Sequence, residues 1–391
     1  MEISDDIRYI GVNDYDIDLF EGQYAVPKGM AYNSYIILDE EIAVFDTVDR
    51  AFEKRWLENL QRELNGREPN YLIVQHMEPD HSANIVAFAN RYKNAKIVAS
   101  KQAFVMMKNY FGVDFANRQI IVADNDRLTL GKHDLRFFTA PMVHWPEVIT
   151  TYDEREKILF SADAFGKFGA IDSDNDWACE ARRYYFNIVG KYGVQVQNLL
   201  KKISAFEIKA ICPLHGPILN ENIRYYLHLY DTWSRYGVES DGVFIAYTSV
   251  YGNTKRAVEF LAEKLKENGC KKVVVRDLAR CDTSEALEDA FRYGKIVLAT
   301  TTYNGEIFPF MREFIHQLLE HNFQNRTVGF IENGSWSPMA TSVMRRMLEQ
   351  CKNLQYTQST VKILSAMTAE NEEQITALAK ELCKNKEEFY E

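Results

Sequence analysis

Between positions 76 and 81 the chain reads His76-Met-Glu78-Pro-Asp80-His81, four potential metal ligands in six residues, directly after the strand-like run Tyr71-Leu-Ile-Val-Gln75. Imidazole and carboxylate are the donors of non-haem iron, manganese and zinc sites, and a strand end is where a rigid sheet can aim them. On an extended loop alternate side chains point the same way, so His76, Glu78 and Asp80 are expected on one side while His81 reaches a second centre. Three further candidates stand in strand-end contexts: His144 in Ala-Pro-Met-Val-His-Trp-Pro, Asp163 in Phe-Ser-Ala-Asp-Ala-Phe-Gly and His215 in Cys-Pro-Leu-His-Gly-Pro. Alone, either histidine is more ordinarily a hydrogen-bonded structural residue and Asp163 a turn residue. Together with the six-residue cluster they make seven ligands, enough for two metals.

A second constellation lies in the C-terminal part. Thr248-Ser249-Val250-Tyr251-Gly252-Asn253-Thr254 leads from a strand into a helix, and hydroxyls, a glycine and exposed amides at a helix N-terminus form an anion site. It lacks the Gly-Lys-Ser/Thr of a nucleotide-triphosphate loop and the Gly-x-Gly-x-x-Gly of a dinucleotide fold. Thr301-Thr302-Tyr303-Asn304-Gly305 follows the third strand of this region and Glu332-Asn333-Gly334-Ser335-Trp336 the fourth. Tyr303 and Trp336 are placed to cover a planar ring, and the backbone of Asn304, Gly305 and Gly334 to approach its polar atoms. The plain alternative for all three loops is capping and turn chemistry.

The elements that must position these residues fall into two textures. From Tyr32 to Phe160 short strands (33–38, 42–45, 71–75, 97–99, 135–139) are interrupted by helices at 51–64 and 84–92, a mixed pattern with many strands. Phe52, Trp56, Leu57 and Leu60 share one face of the first helix. From Asp241 strands at 243–248, 273–276, 296–300, 328–331 and 361–364 alternate with helices, which predicts a doubly wound parallel sheet. The first of those helices carries Ala257, Phe260, Leu261 and Leu265 on one face and stops at Gly269. A helix rich in aromatics (Tyr225, Tyr226, Tyr230, Trp233) ends before the short polar linker at 236–242, so two domains are expected, 1–240 and 241–391.

The metal cluster resembles the metallo-β-lactamase motif His-x-His-x-Asp-His, whose hydrolytic members bind zinc, but Glu78 stands in place of its second histidine. A carboxylate there shifts preference from zinc toward iron or manganese. His-x-Glu-x-Asp-His is the form of the flavodiiron proteins, and the 248–254 loop resembles the flavodoxin phosphate loop. The resemblance covers essentially the whole chain and implies a metallo-β-lactamase-like αββα domain followed by a flavodoxin-like one. It also implies a site: His76, Glu78 and His144 on one iron, Asp80, His81 and His215 on the other, and Asp163 bridging. His81 is the residue that does not ligate in every member.

FMN is implied over FAD, because nothing supplies an adenosine pocket. The implied chemistry is reduction of O2 to water or of NO to N2O at the two irons, fed by FMN, in a head-to-tail homodimer. Tyr192 lies in a segment resembling one that approaches the irons, which makes it a candidate proton donor; a helix-face aromatic is the alternative. Ala162 and Glu147 stand where many members carry asparagine and aspartate. The rival reading is a zinc hydrolase of the β-lactamase type fused to a flavodoxin domain, against which Glu78 argues.

Composition narrows the partners. A net charge of −10 disfavours a general field for nucleic acid or anionic membrane, and no apolar run approaches the ~18 residues of a membrane span. The acidic Met-Glu-Ile-Ser-Asp-Asp start lacks the pattern of a secretory signal, so a cytoplasmic location is expected. The six cysteines include no Cys-x-x-Cys pair, so a rubredoxin that donates electrons would be a separate chain, as would its reductase.

Overall fold

The computed structural model describes residues 3–173 and 176–384. The chain divides into two compact units, Met1–Ser234 and Arg235–Glu391.

In the first unit the alternation of apolar residues builds two sheets that face each other. One runs Ile7–Tyr9, Tyr35–Leu38, Ile42–Phe45, Tyr71–Val74, Lys96–Ala99 and Gln119–Ile121 in spatial order, parallel from the third strand onward. The other runs Arg127–Thr129, Asp134–Thr139, Ile149–Asp153, Ile158–Phe160 and Ala210–Cys212, antiparallel except for its last pair. Residues of period two from both, such as Tyr35, Ile37, Phe45 and Ile73 against Leu135, Phe137, Ile149 and Phe160, make one buried cluster. Phe45 stacks on Phe160 across it, with ring centroids 4.0 Å apart. The helix Glu53–Leu64 buries Trp56, Leu60 and Leu64, while Phe52 forms the 3-10 turn before it and Leu57 is half-buried. No helix among the described residues is long and apolar enough to cross a membrane.

Strand register prepares the metal cluster. Phe160 pairs with Cys212 in the parallel pair, so Asp163 and His215, each three residues further on, leave the sheet side by side. Thr139 pairs with Ile149, which puts His144 in the middle of the connection between those strands. The amide of Ile149 donates to the Gln75 carbonyl at 3.1 Å and ties that connection to the end of Tyr71–Val74, where His76 begins.

In the second unit the spatial order is Val273–Asp277, Ser240–Tyr247, Tyr293–Tyr303, Thr327–Asn333, all parallel. The expected fifth strand is Val361–Ile363, and an additional short strand, Gln355–Tyr356, also pairs with Thr327–Asn333. The order reverses between the first and third strands in sequence, which is the switch point where such sheets take a ligand. The helix Asn253–Glu267 buries Ala257, Val258, Leu261 and Leu265 and is followed by Gly269 at φ +84°; Phe260 is only partly buried. Arg326 is buried and donates to the carbonyls of Tyr236 and Gly237 at 2.8 and 3.0 Å, so the segment after Ser234 packs with the second unit instead of forming a free linker.

Candidate functional site

The seven ligand candidates named from the sequence come together. His76, Glu78, His144 and Asp163 form one set and Asp80, His81 and His215 another, the donor atoms within each lying within 4.8 Å of one another. His144 Nε2 is 3.1 Å from Glu78 Oε2 and 3.0 Å from Asp163 Oδ2, and His76 Nε2 is 3.2 Å from Glu78 Oε2. In the other set His81 Nε2 and His215 Nε2 are 3.0 Å apart, each 3.4 Å from Asp80 Oδ2. Asp163 Oδ1 lies 3.6 Å from His81 Nε2 and 4.0 Å from His215 Nε2, so its two oxygens face different sets. Donors about 3 Å apart are the edges of a coordination shell with bonds of about 2.1 Å.

Asp80 departs from the expected alternation. The chain turns helical at Pro79–Ser82, so successive side chains rotate by roughly 100° instead of 180°, and Asp80 joins His81 instead of His76 and Glu78.

The donor set fits cations. His76, His81, His215 and Asp163 are fully buried, and Asp80 Oδ1 and Oδ2, Asp163 Oδ1 and His81 Nδ1 find no hydrogen-bond partner among the described residues. Burial, then the charges of Glu78 and Asp163, hold the Asp80 carboxyl well above the usual carboxylate range. Burial and the neighbouring His215 pull the His81 imidazole well below its ordinary value. Crowded buried carboxylates with unpartnered oxygens are a donor set that cations satisfy.

Second-layer contacts orient the rings. Glu147 Oε1 accepts from His76 Nδ1 at 2.8 Å and from the Met77 amide at 2.8 Å, and the Ala31 carbonyl accepts from His215 Nδ1 at 2.8 Å. Each contact protonates Nδ1 and leaves the Nε2 lone pair aimed into the cluster. Asp46, fully buried, accepts from the amides of Gln75 (2.7 Å) and His76 (3.3 Å) and holds the strand end. Sequence reasoning gave neither Glu147 nor Asp46 a role; an acid three residues past a candidate ligand histidine was the available signal for Glu147.

Tyr192 closes the short turn Gly190–Tyr192 and is only partly buried. Two tyrosine rings lie beside the cluster, Tyr32 at 6.1 Å from the ring of His215 and Tyr184 at 5.5 Å from it, and of these Tyr184 belongs to the segment before Tyr192. Burial, then the charges of Asp163, Glu78 and Asp80, push its phenol well above the ordinary value, and its hydroxyl has no partner among the described residues. A wide π turn, Tyr185–Val189, lies between Tyr184 and the turn that holds Tyr192.

The second unit gathers the other named residues at the carboxyl ends of its strands. Ser249 Oγ accepts from the amides of Gly252 (3.1 Å) and Lys255 (3.2 Å), folding the 248–254 loop over the start of Asn253–Glu267. Gly252, the N-cap, sits at φ +86° with nothing within 4 Å of where a Cβ would stand and has no side chain to cap the helix, so the Lys255 amide of the first turn is taken by Ser249. Thr248 Oγ1 bonds Thr300 Oγ1 at 2.6 Å, and Asn333 Nδ2 reaches Thr254 Oγ1 at 3.4 Å, tying three strand ends together. Thr301–Tyr303 extends the third strand instead of forming a loop. It enters a hairpin with Glu306–Ile307 through Asn304 and Gly305, at φ +51° and +71°, the turn for which Asn-Gly is the favoured pair. Tyr251 (92%) and Trp336 (81%) are the most exposed large rings, with Tyr303 at 43%, as a planar ligand's walls require. Ser365, which sequence reasoning passed over, bonds Ser335 Oγ at 2.8 Å and Asn333 Oδ1 at 3.1 Å and adds a fourth strand-end loop to the rim.

Two family descriptions match the chain: ODP family beta lactamase over residues 30–216 and a flavodoxin domain over 244–380. An uncharacterised protein of Methanocaldococcus jannaschii is 30% identical over 81% of this chain and 80% of its own length. The anaerobic nitric oxide reductase flavorubredoxin of Escherichia coli is 25% identical over 89% of this chain and 74% of its own length. A putative diflavin flavoprotein of Synechocystis is 34% identical, and the chain spans 48% of its length. Rubredoxin oxygen:oxidoreductase of Desulfovibrio gigas superposes with a TM-score of 0.90 at 25% identity, covering 98% of this chain and 97% of that one. The flavodiiron protein of Giardia intestinalis gives 0.90 and 25% over 98% and 95%.

The chain belongs to the flavodiiron family. Its cofactors are therefore FMN and two non-haem irons, and both donor arrangements in this flavodiiron protein suit them. Glu78 gives the cluster the carboxylate character that favours iron over zinc.

Proposed function

We propose that this flavodiiron oxidoreductase reduces O2 to water or NO to N2O. Its irons would be held by His76, Glu78 and His144 on one side and by Asp80, His81 and His215 on the other, with Asp163 between. The observation that carries the reading is Asp163 turning Oδ2 to His144 and Oδ1 toward His81, the disposition of a bridging carboxylate. Bound there, two ferrous irons and reduced FMN supply the open coordination positions and the electrons that either reduction needs.

The chain's own residues do the rest. Glu147 and the Ala31 carbonyl hold His76 and His215 in the ligating tautomer. Burial of the cluster keeps bulk water from competing for the open positions. The Tyr184 hydroxyl, buried without a partner among the described residues on a ring 5.5 Å from that of His215, holds a proton for the reduced gas. The loops 248–254, 301–305 and 333–336 would hold FMN, its phosphate on the amides that begin Asn253–Glu267 and its ring near Tyr303 and Trp336.

The electron donor we propose is a separate protein of the rubredoxin type or its reductase, the assembly a head-to-tail homodimer and the location the cytoplasm. Anaerobic metal and flavin analysis followed by gas-consumption assays tests the reading. Two irons and one FMN per chain with O2 or NO uptake are expected, and zinc with no uptake would overturn it.

A further inference from the structure

The metal ligands make no use of the aromatic helix Ile223–Ser234, yet a run of rings leads from them through it to the surface. Phe165, two residues past Asp163, donates its amide hydrogen to the Tyr230 hydroxyl at 2.5 Å. The Tyr230 ring lies 5.4 Å from that of Trp233, and Trp233 lies 6.1 Å from Trp177 with planes 16° apart. Trp177 is 4.6 Å from Tyr226, and Tyr226 is 5.6 Å from Tyr225, which is 41% exposed. Tyr230 and Trp233 are fully buried.

Packing does not ask for this composition. Phenylalanine and leucine fill a core without a polar hydrogen to satisfy, whereas each buried phenol or indole brings one. Every member of the run is a tyrosine or tryptophan, the side chains that most readily give up one electron to a strong oxidant, and neighbouring rings are in the contact range of aromatic pairs.

We infer that the run Tyr230, Trp233, Trp177, Tyr226, Tyr225 carries oxidising equivalents from the metal cluster to the surface when O2 meets it with too few stored electrons. This rests on the function proposed above. Reduction of O2 to water takes four electrons and four protons. An electron missing from the cofactors is drawn from Tyr230 and refilled ring by ring from Trp233 outward. The net change is one electron and one proton lost by the Tyr225 phenol, the proton going to water and the electron to oxygen. A low-molecular-weight thiol restores the tyrosine, two thiols giving one disulfide, two electrons and two protons for two such events.

The test uses holoenzyme charged with fewer electrons than O2 requires, then exposed to O2 without thiol. Freeze-quenched samples are read by electron paramagnetic resonance and parallel samples by peptide mapping. A tyrosyl or tryptophanyl radical and oxidation products at Tyr225 and Tyr226 are expected, both lost when thiol is added. Trp177→Phe cuts the run at a partly exposed position and should remove the products at Tyr225 and Tyr226 while they appear at Trp233 and Tyr230, with iron content unchanged. Tyr226→Phe is the second cut, expected to remove the Tyr225 product. Identical product maps in wild type and both variants, or wild-type damage confined to the ligand histidines, overturn the inference. O2 uptake under full reduction is measured on the same preparation. Normal uptake with unmodified tyrosines overturns this inference alone, and absent uptake overturns the parent function and this with it.

Discussion

Glu147 Oε1 stands 2.8 Å from His76 Nδ1, both side chains fully buried, and the same oxygen takes the Met77 amide. The contact fixes which nitrogen of His76 is free to ligate. Glu147→Ala leaves the ring without its partner and should weaken iron binding about 10- to 100-fold. Chelator competition under anaerobic conditions reads this directly. Glu147→Gln retains an acceptor at the same reach and should fall between the two.

Asp163 reaches both donor sets, with Oδ2 3.0 Å from His144 Nε2 and Oδ1 3.6 Å from His81 Nε2. Asp163→Ala should lower iron content and abolish gas reduction while FMN, bound by the other unit, stays at one per chain. Metal analysis beside the flavin absorbance checks both halves. Full iron content in the variant would remove the bridging assignment.

The gathering of the seven candidate donors was legible because donor-rich strand ends are rare, and the doubly wound half because its strands and helices alternate regularly. The grouping was less so. Local alternation put Asp80 beside His76, whereas the family resemblance put it with His81 and His215, and the helical turn Pro79–Ser82 is what places it in that second group. The nearness of Asp163 to His215 comes from the register Phe160 to Cys212, a long-range pairing that no local pattern announces. Ala162, noted only as a departure from asparagine, sits at φ +52°, a left-handed conformation that asparagine tolerates better than alanine.

His133, far along the second sheet, offers a pH test separate from the metals. It is buried, with Nδ1 donating to Asp153 Oδ2 at 3.0 Å and Nε2 facing Asp6 Oδ2 at 3.4 Å. Burial alone would lower its pKa, but Asp153 foremost, then Asp6 and Asp39, raise it. The folded protein therefore keeps the proton longer than the unfolded chain. The stabilisation is complete below the ordinary histidine value of about 6.5 and is lost as pH rises through the raised one. Denaturant midpoints should fall over that window in wild type and show a smaller slope in His133→Gln, the difference between the two cancelling any shared metal effect.

Gly252 isolates the backbone's share of flavin binding. A Cβ there would meet nothing, so Gly252→Ala acts only through the left-handed conformation at φ +86°. That conformation costs an L-residue about 1–2 kcal/mol. A loop that relaxes when empty charges the cost to binding, about 5- to 30-fold in FMN affinity. Flavin fluorescence titration measures it, and an unchanged Kd would show that the loop does not hold the phosphate in this conformation.

Tyr184 and Tyr192 can be told apart by pairing activity with stability. The Tyr184 hydroxyl is buried without a partner beside Asp163, Glu78 and Asp80, whereas Tyr192 is partly exposed on its turn. Removing an unsatisfied buried hydroxyl normally stabilises a fold or leaves it unchanged, because its desolvation cost disappears. Tyr184→Phe should therefore melt at or above the wild-type temperature with iron and FMN retained. Loss of a positioned proton donor should nevertheless lower the rate of gas reduction about a hundredfold. Tyr192→Phe should leave the rate near wild type. A protein that gains stability as it loses turnover has kept a polar group for function, so a Tyr184→Phe variant that melts higher and turns over normally would leave the hydroxyl with no catalytic part.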